Sequence, residues 1–202
     1  MLAGALNAER KNSAACVQAD FADLTSTERL IESALEQWGR LDVLINNASE
    51  FFPTPLGDIH LEDMQKTFNA NVFAPLLLTQ AALPALKQQR GAVVNILDIY
   101  SSKVHPDHSV YCASKAALAM LTRSLAVECA PDVRVNGVSP GAILWPEGES
   151  AVSEEFKAAM LDKIPLRTTG NADQIAAAVA YLCNADFVTG QTIAIDGGRS
   201  AL

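Results

Sequence analysis

Tyr111 and Lys115 stand four residues apart in the stretch DHSVYCASK, a spacing that puts two side chains on one face of a helix. A phenol and an ammonium so placed can reach a common ligand, and the positive charge would draw the phenol below its usual value of about 10. A tyrosine tuned in this way can give up a proton near neutral pH. The pair alone is weak evidence, because an aromatic beside a solvated lysine has the same spelling. Asp98, thirteen residues before Tyr111 at the end of an apolar run, would aim a carboxylate at the same point, although Asp also closes turns after strands. Asn71, in NANVFAP, is a mediocre residue for a helix interior. Its side chain either bonds its own backbone or holds a water that links Lys115 to solvent.

The elements that must position these residues alternate. Apolar runs at 14–20 (AACVQAD), 40–49, 91–98, 133–141 and 190–196 read as strands, and 25–39, 61–89, 109–130 and 171–183 read as helices, the first capped by Thr25 or Ser26. The strands lack strict polar alternation, as expected when helices cover both faces. An α/β fold with a doubly wound parallel sheet follows. Residues 142–155, with Pro146 and Gly148, read as a loop. In such a sheet ligands sit beyond the carboxyl ends of the strands. NNAS (46–49), Asp98 and SPGA (139–142) fall at those ends and should converge on one crevice, although each could equally be a plain turn.

The 202 residues fit a single domain. With 15 basic and 23 acidic residues the net charge is −8, so no basic field draws nucleic acid. No apolar run approaches the roughly 20 residues of a bilayer span, and the first residues show no basic segment followed by an apolar one. A soluble cytoplasmic protein is expected. Cys16, Cys112, Cys129 and Cys183 form no C-x-x-C pair and are expected to be buried free thiols. His60, His105 and His108 show no metal-ligand spacing and are expected in loops or at the surface, with no metal bound.

In order along the chain, INNAS, NANVFAP, the VNIL-D strand, YCASK, RVNGVSPG and GQTIAIDGG resemble the short-chain dehydrogenase/reductase family, over essentially the whole sequence. That resemblance implies a Rossmann-like fold, a nicotinamide dinucleotide cofactor and a homo-oligomer, by family habit a tetramer. It makes Tyr111 the proton donor and Lys115 the group that lowers its pKa and grips the nicotinamide ribose. Asn71 completes a proton relay through water, Asn47, Ala48, Pro140 and Gly141 line the cofactor, and Asp20 contacts adenine. Where the family usually has Ser, this chain has Asp98; where it has N-N-A-G, this chain has N-N-A-S followed by EFFPTP. Both departures are similar to the pteridine reductases, in which the equivalents of Ser49 and Phe51 contact the substrate and stack on a pterin ring. NADPH is then the expected cofactor. Phe52 reads as a core or lid aromatic.

The glycine-rich T-G-x-x-x-G-x-G turn with which the family opens does not occur in these residues. The expectation is therefore an incomplete Rossmann domain lacking the first two strands and first helix, encoded from an internal Met, with residues 1–15 as the tail of a second helix. Three functions compete: reduction of a pterin C=N, reduction of a ketone or oxoacyl thioester, and a cofactor-free subunit that only oligomerises.

Overall fold

Four short apolar runs form strands: β1 (Val43–Asn46), β2 (Ala92–Ile96), β3 (Arg134–Pro140) and β4 (Thr192–Ile195). They make one parallel sheet in the order β1-β2-β3-β4. The computed structural model of the chain describes residues 2–145 and 153–202. Seven α-helices lie among those residues: α1 (Leu2–Glu9), α2 (Ser26–Trp38), α3 (Leu61–Phe68), α4 (Ala74–Gln89), α5 (Ser109–Glu128), α6 (Glu154–Leu161) and α7 (Ala172–Asn184). None is long and apolar enough to cross a membrane.

Successive side chains of a strand point to opposite faces, and the two cores follow that rule. Val93 and Val135 pack on one face with Ile31 of α2, Leu78 and Leu86 of α4 and Ala126 of α5. Val94 and Val138 turn to the other face, where Leu182 and Val179 of α7 meet them. The doubly wound α/β expectation is met, with apolar side chains on both faces of β2 and β3.

Four expectations need correction. Residues 14–20 form no strand. They carry no regular secondary structure and leave Val17 half exposed; without a neighbouring strand, no ladder satisfies their backbone groups. The long helix at 61–89 is broken by a π turn at Asn69–Phe73, and its second half carries Pro84 inside it. Of the loop expected at 142–155, residues 146–152 lie outside the described residues, and Ser153 caps α6 by accepting a bond from the Phe156 N–H. Of the four cysteines only Cys129 is buried; Cys16 is exposed and the other two are half-buried.

A chain of buried amides crosses the sheet below the site. Asn46 donates from Nδ2 to Asn95 Oδ1 at 2.8 Å. Asn95 in turn donates to Thr122 Oγ1 at 2.9 Å, and that hydroxyl donates to the Leu118 carbonyl in α5. β1, β2 and α5 are thereby fixed in register just beneath the strand ends. Asn95→Ala would leave the Asn46 amide without its acceptor in the interior, at a cost of about 1–3 kcal/mol. Urea denaturation should show a lower midpoint with an unchanged slope.

Candidate active site

Asp98 follows β2 and begins a 3-10 turn, Ile99–Ser101. Its Oδ1 accepts from the Tyr100 N–H at 2.9 Å, which aims Oδ2 at α5. There the Tyr111 hydroxyl donates to it at 2.7 Å. Tyr111 is 5% exposed and Lys115, one turn further along α5, is 2% exposed. The three residues are therefore brought together, as their spacing implied.

The electrostatics differ from the simple expectation of a lysine that acidifies a phenol. Lys115 Nζ donates to the Ile96 carbonyl at 3.0 Å and lies 5.7 Å from the centre of the Tyr111 ring. Burial, then the charge and hydrogen bond of Asp98, push Tyr111 above its usual value. Burial also raises Asp98, against the opposing effects of the Tyr100 and Tyr111 hydrogen bonds and the Lys115 charge. Lys115 is lowered to about 8 by burial, which Asp98 partly offsets. The arrangement is a hydrogen-bonded phenol and carboxylate partly screened from water, next to an ammonium for which the described residues supply a single hydrogen-bond acceptor.

Asn71 sits in the π turn, a form that recurs at functional sites, and it is 1% exposed. Its Oδ1 accepts from Ser49 Oγ at 3.0 Å and from the Glu50 N–H at 2.8 Å. Its Nδ2 donates to the Glu50 carbonyl and to Ser114 Oγ, each at 3.0 Å. The side chain is thus spent on tying the 49–50 loop to α5, rather than on its own backbone or on a water beside Lys115. That tie places Phe51 edge-on to Tyr111 with ring centres 4.7 Å apart. Phe51 is stacked on His108, again at 4.7 Å, and remains 54% exposed.

The strand ends open into three adjoining grooves. Asp20, Ala48 and Ser49 line one of about 830 Å³. Asn47 and Pro140 line a second, apolar one of about 790 Å³ against α7. Pro140 and Gly141 also line a third of about 410 Å³, with Phe51, Asp98 and residues of α6. Phe52 lies apart, under Lys66. Among the described residues no His, Cys, Asp and Glu cluster could hold a metal.

The sequence reading missed Tyr100, His105, His108 and Arg199. Both histidines donate through Nδ1 to the Pro106 carbonyl and pack against each other, ring centres 4.1 Å apart, and His105 lines the third groove. Arg199, directly after the Gly197-Gly198 turn that leaves β4, donates to the Tyr100 hydroxyl at 2.9 Å. Its place at a strand's carboxyl end was the available signal.

A buried lysine lowered to about 8 has a stability consequence with a definite sign. Between pH 8 and 10.5 the unfolded chain binds the proton that the folded chain has released, so this group makes stability rise with pH and withdraws that benefit as pH falls through 8. Below pH 8 the charged, buried group costs on the order of 3 kcal/mol relative to its exposed state. Lys115→Met should therefore melt higher than the parent at pH 7, with the gap narrowing as pH approaches 10; thermal melts across that range provide the measurement.

A sequence model of the family described as enoyl-(acyl carrier protein) reductase matches residues 3–200. Pteridine reductase 1 of Leishmania tarentolae is 34% identical over 242 residues, covering 98% of this chain and 82% of that protein. Glucose 1-dehydrogenase 2 of Bacillus subtilis is also 34% identical, over 93% of this chain and 75% of that protein. L-xylulose reductase of Mus musculus is 34% identical over 89% and 74%. Among solved structures, an apo SCOR enzyme from Clostridium thermocellum superposes with a TM-score of 0.86 at 30% identity, covering 98% of this chain and 78% of that one. With a matching family model, relatives at this identity and a common fold, the chain belongs to the short-chain dehydrogenase/reductase family, whose members are NAD(P)H-dependent oxidoreductases.

Proposed function

We propose that this protein is an NADPH-dependent reductase of a pterin C=N bond. The observation that carries the reading is a half-buried carboxyl, Asp98, hydrogen-bonded to Tyr111 at 2.7 Å beside the half-exposed ring of Phe51. Likeness to pteridine reductase 1 supports it, and the glucose and xylulose enzymes keep a carbonyl substrate as the competing reading.

The residues present suit the nicotinamide ribose and ring of such a cofactor, while the glycine-rich turn that would hold its pyrophosphate is not among them. Lys115 is a buried ammonium with spare donors beside the strand ends, suited to ribose hydroxyls. Asn47, Ala48 and Pro140 offer small or rigid walls to a flat ring, and Asp20 and Ser49 line the adjoining groove. When bound, the cofactor supplies hydride to the substrate carbon.

The chain's own part is the proton. Burial favours neutral Asp98, and once protonated its carboxyl donates to the Tyr111 oxygen, freeing the phenol O–H to face the substrate. The phenol gives its proton to the ring nitrogen and recovers one from Asp98, which is refilled from solvent. A ring nitrogen needs that full proton, so a carboxyl suits an imine better than the hydroxyl of a serine would. Phe51 offers a face to a planar substrate, worth roughly 0.5–1.5 kcal/mol beyond burial. Ser49 and Asn71 hold the loop that carries it.

We infer further that the protein acts in the cytoplasm as a homo-oligomer, a tetramer by family habit. Free thiols and the exposed Met120 and Val127 of α5 and Phe187 support this.

NADPH consumption with a dihydropterin should exceed that of Tyr111→Phe by about 10²–10⁴-fold. Equal rates for the two proteins would eliminate the assignment, and faster turnover of ketones or oxoacyl thioesters than of pterins would favour the carbonyl reading. Because neutral Asp98 is the proton reserve, kcat should fall as pH rises through its raised pKa. Asp98→Asn should lose both that limb and most of the rate, as a pH profile of each protein would show.

A further inference from the structure

Arg199 is a cation on a constructed support. Gly197 and Gly198 take φ values of +65° and +87°, where a side chain is strained, and a Cβ at Gly197 would lie 2.6 Å from Ile164 Cγ2. Asp196 closes the turn, accepting from the Gly198 N–H at 2.9 Å and the Ser200 N–H at 2.6 Å. The carboxylate nearest in sequence is thereby spent on backbone. The turn sends Arg199 back over the third groove, where its guanidinium lies 5.5 Å from the centre of the Tyr100 ring and donates to the Tyr100 hydroxyl.

Among the described residues no carboxylate lies within 4 Å of Arg199 as an ion-pair partner. A guanidinium has five N–H donors in a planar fork matched to a carboxylate, and the described residues use one of its groups on Tyr100. Tyr100, having accepted that bond, retains its own O–H to donate. Lys103 is engaged elsewhere, donating to a terminal oxygen of Leu202. Arg199 borders the same groove as Asp98 and Phe51.

We propose that Arg199, with Tyr100, forms an anion subsite that selects substrates bearing a carboxylate side chain on the reducible ring. The proposal rests on the pterin reading and deepens it: the groove distinguishes a pterin carrying a glutamate tail from one carrying a neutral hydroxyalkyl tail. The ring lies against Phe51 and the Tyr111–Asp98 pair, and the tail carboxylate meets the fork of Arg199. Neutral-tailed pterins leave the guanidinium to water.

The test is equilibrium binding of pteroylglutamate and of biopterin to the full chain by calorimetry, with and without NADP. The parent should hold pteroylglutamate about tenfold more tightly, with the advantage shrinking in high salt as expected for a partly exposed ion pair. Arg199→Ala should erase the preference, Arg199→Lys should restore part of it, and Tyr100→Phe should weaken it. A parent that holds both ligands equally, or a preference that survives Arg199→Ala, overturns the subsite and leaves the pterin reading standing. Failure of the parent to bind either ligand overturns the pterin reading and the subsite with it.

Discussion

A carboxyl group drawn partly out of water must be neutralised or bonded, and the bond between Asp98 and Tyr111 answers that demand. The elements around it keep it aimed and partly sheltered from water. β2 delivers Asp98, the 3-10 turn orients its first oxygen, and α5 brings the phenol to its second. The apolar cores on both faces of the sheet give these elements fixed places. The buried amide chain from Asn46 to Thr122 then sets the height of α5 relative to the strand ends. A polar network of this kind is costly if incomplete and specifying if satisfied.

Lys115 shows the same compromise from the opposite sign of charge. An ammonium at 2% exposure is a poor way to fill a core, and a methionine would serve packing better. Its presence makes sense as a site feature whose cost the surrounding fold absorbs, the usual relation between stability and activity at a working site. The Ile96 carbonyl that receives its bond is at the last residue of β2, so sheet pairing itself holds the acceptor in place.

Much of this was legible in the sequence because it is local and periodic. The i, i+4 spacing on α5 and the thirteen-residue interval back to the end of β2 were enough to bring Tyr111, Lys115 and Asp98 together. The strands that formed are those with neighbours to pair with; residues 14–20 have β composition but no ladder, which composition alone does not reveal. The π turn was hidden because its residues are helical in type, and Asn71 looked like a local oddity when its partners, Ser49, Glu50 and Ser114, are 21 to 43 residues away. Arg199 escaped because its meaning depends on a turn meeting another turn 99 residues earlier. The sign of the Tyr111 shift escaped because burial, which spacing does not report, outweighs the nearby lysine.

Pro140 forms part of the wall of two grooves at once, one beside Asn47 and α7 and the other beside Asp98 and Phe51. Pro140 closes β3, so the end of one strand is a stiff wall common to both chambers. A substitution at this single position would therefore reshape both at once.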